Sequence, residues 1–203
     1  MSAVILQHTA AAHHGLRDDI RAYAAQNNCV FQDAGIEHKT APDALRILSG
    51  IFDPTALYLR GAPDAWIASR QTKEHPEGIA IQLEFKSRMG EWDNMALEAQ
   101  PLASAMGRSR PPLNIRVLYC YRDPAIGVDV AFWASNPPPF SRLLIGSKDE
   151  SIRKYIERAF PRVPPEEKPD MKGSGDSCVI VHKDDWIDLP HWRALLNTEI
   201  FGF

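Results

Sequence analysis

Residues 78–87, "GIAIQLEFKS", alternate apolar and polar side chains: Ile79, Ile81, Leu83 and Phe85 share one parity, and Gln82, Glu84 and Lys86 share the other. A period of two belongs to a β-strand, in which successive side chains leave opposite faces. Glu84 and Lys86 therefore point the same way. Just upstream, "GAPDAWIAS" is a second β-rich run, and the intervening "QTKEHPEG" carries the proline and glycine of a hairpin loop. Asp64 thus stands at the start of one strand, with Glu84 and Lys86 near the end of the next. Register decides whether the aspartate joins them, because a slip by one residue sets it opposite Phe85 on the wrong face. The loop leaves that register open, and a bulge near Pro63 would re-aim the aspartate.

Helices are expected on both sides of this hairpin. Ala12, Leu16, Ile20, Tyr23 and Ala24 recur at helical spacing and predict a helix over 10–27, with Thr9 as its cap. A second helix is expected after Pro42 and Asp43, through Ala44, Leu45, Ile47 and Leu48, followed by a strand at "TALYLR", 55–60. Residues 92–106 read as a helix with Trp92, Met95, Ala99, Leu102 and Met106 on one face, kinked or split by Pro101. "NIRVLYCYR" and "VDVAFWAS" read as strands, and "SKDESIRKYIERAF" as a helix with Ile152, Tyr155, Ile156 and Ala159 on one face. "PRVPPEEKPDMKGSGDS" reads as a loop, "CVIVHK" as a strand and "LPHWRALLNTEI" as a helix. The whole order predicts one α/β domain over residues 1–203. Its core spans about 10–135, with a C-terminal α/β elaboration over about 140–203.

Charge and cysteine usage narrow the function classes. A net charge of -3 argues against coating nucleic acid through bulk electrostatics. A local site is compatible with it, since residues 99–122 hold Arg108, Arg110, Arg116 and Arg122 and no acid. "MSAVILQHTA" has no basic leader, and no apolar stretch is long enough to cross a bilayer. Cys29, Cys120 and Cys178 lack the close spacing of a zinc site. A soluble, cytoplasmic protein with reduced, buried thiols and no membrane partner is expected.

Two carboxylates and an ammonium from neighbouring strands suit magnesium chemistry at a phosphate. Hard oxygen ligands hold the ion, and a lysine beside them orients or deprotonates the attacking water. The tripeptide alone carries little weight, since Glu-x-Lys occurs at Glu37, Glu84 and Glu166, and Pro-Asp at Asp43, Asp64 and Asp170. Only Asp64 with Glu84 and Lys86 combines Pro-Asp at a strand start with Glu-x-Lys on the following alternating strand. Arg88, Arg108 and Arg110 follow the same strand and its helix and are the expected contacts to a nucleic-acid backbone. The plain alternative is a cross-strand ion pair on a half-exposed hairpin, which contributes little. Trp66 and Phe85 read as core in preference to base-stacking platforms, and "HKDDWID" as a capped turn in preference to a metal cluster.

"GAPDAWIAS" followed by "IQLEFKS" resembles the active-site signature of the PD-(D/E)XK nuclease superfamily, and the approach "RGAPD" with Gln100 on a later helix is similar to its VRR-NUC branch. The resemblance covers about residues 55–122. It implies a restriction-endonuclease-like core: helix, three-stranded meander, helix, further strands. It also implies that Asp64 and Glu84 bind Mg²⁺ or Mn²⁺ with the carbonyl of Phe85, that Lys86 is the catalytic lysine, and that Gln100 assists. Superfamily members often add a ligand from the first helix, for which His14, with Asp18, or His13 would serve. The expected activity is a metal-dependent phosphodiesterase, a hydrolase acting as an endonuclease on DNA in preference to RNA, alone, as a homodimer or with a protein partner. The rival is a catalytically inactive nuclease-fold protein serving as a nucleic-acid-binding or assembly module.

Overall fold

The computed structural model describes residues 3–33, 63–70, 72–73, 75–87, 94–168 and 177–203. These form a mixed α/β structure with two sheets. In chain order the elements are α1 (Ala3–Gln26), β1 (Val30–Asp33), β2 (Ala65–Ser69), β3 (Ile79–Ser87), β4 (Asn94–Glu98), α2 (Ala99–Arg108), β5 (Arg116–Asp123) and β6 (Val128–Trp133). They continue with β7 (Arg142–Ile145), α3 (Glu150–Ala159), β8 (Pro165–Glu167), β9 (Ser177–His182), α4 (Lys183–Trp186) and α5 (Trp192–Phe201). The helix expected after Pro42, the strand expected over 55–60, Arg88 and Trp92, and the side chain of His13, lie outside the described residues.

The first sheet runs β1-β2-β3-β5-β6. β1, β2 and β3 form an antiparallel meander, β3 and β5 are parallel, and β5 and β6 are antiparallel. A parallel neighbour requires a crossover, and β4 with α2 provides it. The partner of β2 on its outer side is β1, a four-residue strand too short to announce itself by alternation. Gly78, with φ of 84°, ends the β2–β3 loop in a conformation that suits glycine, and its amide donates to the carbonyl of His75 at 2.9 Å.

Both faces of this sheet are covered. On one, Ile79, Ile81, Leu83 and Phe85 of β3 join Leu118 and Cys120 of β5, Leu16, Ile20 and Ala24 of α1, and Trp192, Leu196 and Ile200 of α5. On the other, Val117, Tyr119 and Tyr121 of β5 join Leu102, Ala105 and Met106 of α2 and the second sheet. The predicted alternation is thus realised, but the polar parity of β3 is also enclosed: its first seven residues are buried. A half-exposed hairpin is not what this chain builds.

The second sheet runs β4-β9-β7-β8, antiparallel except for the parallel β7 and β8. It contains three surprises for the sequence reading. Residues 94–98 are a strand and not part of a helix; Met95 and Leu97, two apart, are both buried there. The helix begins only at Ala99, so Pro101 falls in its first turn, where a missing amide removes no intrahelical bond. No kink is needed. "RLLI" forms β7, and "PEE" in the expected loop forms β8. The C-terminal part is interleaved with the rest, because β4 pairs with β9 and α5 covers the first sheet.

Cys120 is buried, Cys29 and Cys178 are half-buried, and none of the three is in a disulfide. Among the described residues no helix is long and apolar enough to cross a membrane.

Candidate active site

The β2–β3 ladder settles the register that alternation left open. Ala65 faces Leu83, so Asp64, one residue earlier, comes level with Glu84. The regular ladder ends there, as expected where Pro63 precedes. The carboxylate of Asp64 takes over as acceptor: its Oδ2 receives the amide of Phe85 at 2.7 Å. In an extended strand the amide and carbonyl of one residue leave the same edge. The carbonyl of Phe85 therefore lies on the Asp64 side of β3.

Glu84 is only 7 % exposed. Lys86, two residues on and on the same face, places Nζ 3.9 Å from Glu84 Oε2 and 3.9 Å from Glu98 Oε2. Both separations are too long for hydrogen bonds. The ammonium sits between two acids and saturates neither. Burial first, and then the charge of Asp64, push the Glu84 carboxyl up from its ordinary 4.5 to about 7, with Glu98 adding to this and Lys86 and Arg108 opposing it. Two acids, Asp64 and Glu98, thus act on Glu84, with two cations to offset them.

Behind Glu84 lies a buried polar layer. Tyr119 is its neighbour across the β3–β5 ladder and is 2 % exposed. Burial and the charge of Glu84 push the phenol well above its usual range. Its hydroxyl, the Oε1 of Gln82 and the Nε of Arg108 are buried without a hydrogen-bond partner among the described residues. Arg108 donates from Nη1 to Ser104 Oγ at 2.9 Å.

The predicted residues therefore divide. Asp64, Glu84, Phe85 and Lys86 come together. Arg108 does not reach out to a polyanion: it is 5 % exposed, because it shares the helix face of Leu102 and Ala105, and its charge acts on Glu84. Arg110 is exposed just past α2, Gln100 is exposed in its first turn, and His14 is exposed on α1. Trp66 and Phe85 are core, at 5 % and 1 % exposure. His182 caps α4 through Nδ1, which accepts from the Asp184 amide at 3.4 Å, in line with the capped-turn reading.

Glu98 is the residue that sequence reasoning missed. It ends β4, precedes the first residue of α2 and makes no side-chain cap to that helix, turning instead to Lys86. The signal was Pro101: a proline belongs in a first turn, which moves the helix start towards Ala99 and leaves Glu98 just before it.

Among the described residues, no three His, Cys, Asp or Glu side chains are gathered closely enough to hold a metal ion by themselves. Such a cage is what zinc or calcium needs. Magnesium is different, because it keeps several waters and takes one or two carboxylates together with substrate phosphates. The carboxylates of Asp64 and Glu84, level on neighbouring strands beside a strand carbonyl, are the ligand types that ion takes, and a dication would offset the burial and the Asp64 charge that hold the Glu84 proton. Compared with protein-family models, with curated proteins and with solved structures, the chain finds no match in any of the three.

Proposed function

We propose that the chain is a divalent-metal-dependent nuclease of the PD-(D/E)XK type, hydrolysing phosphodiester bonds within DNA. One observation carries the reading: the β2–β3 register sets Asp64 level with Glu84, on the strand that carries Lys86 on the same face. The order of helix, antiparallel three-strand meander, helical crossover and parallel strand supports a restriction-endonuclease-like core.

Asp64, Glu84 and the carbonyl of Phe85 would hold Mg²⁺ or Mn²⁺. When bound, the ion supplies Lewis acidity at the scissile phosphate and a water of lowered pKa. The chain's own groups do the rest. Glu84 must give up its proton to act as a ligand, and Lys86 orients the water and balances charge that builds on the phosphate oxygens. Glu98 shares Lys86 with Glu84 at the same 3.9 Å separation. The buried surroundings of Glu84 and Tyr119 strengthen each of these charge interactions by excluding water.

The test is cutting of end-labelled single-stranded, duplex, flapped and branched DNA, and of RNA, with Mg²⁺ or Mn²⁺. Cutting that Glu84→Ala and Lys86→Ala both abolish supports the reading, and cutting that survives them contradicts it. One observation favours the rival, a binding or assembly module: Lys86 lies equally far from Glu84 and Glu98, as in a structural ion triad. That reading predicts no divalent-metal binding and a stable partner or oligomer.

A further inference from the structure

A groove between α2 and α3 plays no part in the candidate active site. Ala103, Met106 and Gly107 of α2 form its floor, Arg110, Tyr155 and Arg158 its rim, and it encloses about 220 Å³. Pockets that enclose a small ligand run to about 300–1,000 Å³. This one is smaller and open to solvent, a shape that takes part of a longer molecule. Gly107 is exposed and a Cβ there would meet nothing within 4 Å, so the groove is open at that end.

Its rim is unusual for this chain. The helical spacing of α3 predicts Tyr155 to face the core with Ile156, yet Tyr155 is 43 % exposed while Ile156 is 1 % exposed. The other two cations of α3 are matched, Arg153 with Glu167 at 2.7 Å and Lys154 with Glu150 at 3.2 Å. Among the described residues, the exposed guanidiniums of Arg110 and Arg158 have no carboxylate partner. An exposed phenol ring lining one groove with two unmatched guanidiniums and apolar side chains has the chemistry of a nucleotide site: the ring stacks on a base and the guanidiniums meet phosphates.

We infer that this groove holds a stretch of single-stranded nucleic acid, with a base on Tyr155 and phosphates on Arg110 and Arg158. The strand is single because a ring at this rim reaches the face of an unpaired base but not of a stacked pair. The assignment rests on the nuclease reading for the identity of the polymer. α2 links the two places, since its first residue follows Glu98, and Ala103 lies about 8 Å further along the helix.

The test reads binding, not cleavage. Wild-type protein in EDTA is titrated against a fluorescent oligothymidine strand, a hairpin duplex and thymidine monophosphate. The strand should bind more tightly than the duplex or the mononucleotide. Tyr155→Ala should weaken strand binding about tenfold, with Tyr155→Phe restoring it. Joint Arg110→Ala and Arg158→Ala should lower the salt dependence, the slope of log K against log salt, by roughly 1.4. All four side-chain changes are on the surface, so the fold survives them. No strand binding by the wild type, unchanged binding by the variants, or equal binding of duplex or mononucleotide overturns the assignment. The two readings fail separately. Weakened strand binding in the variants, with no cutting by wild type in Mg²⁺, sinks the nuclease and leaves the groove. Normal cutting with unaffected strand binding does the reverse.

Discussion

Two charged clusters face each other across the thickness of the first sheet, and they are built on opposite principles. Around Arg122 every charge is matched: Nε and Nη2 reach both oxygens of Asp129 at 2.7 and 2.6 Å, and Nη2 also reaches Asp19 at 2.6 Å. Burial alone would raise the Asp129 carboxyl, but the hydrogen bonds and charge of Arg122 bring it below its ordinary 3.8. Around Glu84 the charges stand further apart. Lys86 stands off at 3.9 Å, three buried polar atoms nearby lack hydrogen-bond partners among the described residues, and the carboxyl is held up at about 7. Ionising it near neutral pH costs roughly 3 kcal/mol more than in water. A fork of hydrogen bonds makes the first cluster a clamp between α1, β5 and β6. The second is not closed by such a fork, which is compatible with the proposed cation site.

The largest expected contrast is in activity. Glu84→Ala or Lys86→Ala should lower the cutting rate at least about a hundredfold, and Arg122→Ala, if it folds, should leave the rate within a few-fold. Initial rates on one labelled substrate check this. Stability should respond the other way round. Arg122→Ala leaves Asp129 and Asp19 without their donor and should cost about 2–3 kcal/mol in chemical denaturation. Glu84→Gln removes an unmatched charge and should leave stability at about pH 8 unchanged or higher.

The pH dependence sharpens the comparison, because the two carboxyls slope in opposite senses. Glu84 has a raised folded-state pKa. Its contribution is fully present below 4.5 and lost as pH rises through about 7. Asp129 has a lowered one, so its contribution is present above 3.8 and lost as pH falls further. Melting temperatures of metal-free protein should therefore decline from about pH 5 to pH 8. Glu84→Gln should flatten that decline, and Mg²⁺ should reverse it at the alkaline end. Equal slopes in wild type and Glu84→Gln would remove the case for an unmatched carboxyl.

The smallest effect concerns Gly15 in α1, where an added Cβ would come 3.2 Å from Arg122 Nη1. Glycine to alanine inside a helix ordinarily gains about 1 kcal/mol. With Arg122 pinned by two aspartates that gain should be absent in the wild type and recovered in the Arg122→Ala background. A double-mutant cycle on unfolding free energies measures it.

The hairpin was legible because burial on two unlike faces forces alternation, and alternation fixes which side chains travel with Glu84. The buried face of α1 was legible from its helical spacing, at Leu16, Ile20, Tyr23 and Ala24. What escaped were features set by tertiary neighbours. β1 and β7 span four residues each, too few for a period to register. Arg108 stood in an acid-free window and read as a surface cation, yet helical spacing ties it to Leu102 and Ala105, and a buried carboxylate gives its charge a reason to be inside. The Asp64 register needed the observed ladder, because a hairpin loop containing proline does not dictate which residues pair. Glu98 was hidden by a helix boundary drawn seven residues too early, at Trp92 and not Ala99.

Calorimetric titration of Mn²⁺ into metal-free wild-type and Glu84→Gln protein at about pH 8 tests the central claim most directly. The account predicts saturable binding to the wild type and a loss of at least about tenfold in affinity, roughly 1.4 kcal/mol, in the variant. No binding to the wild type, or equal binding to both, would contradict it and leave the Glu84 cluster as a buried ion triad.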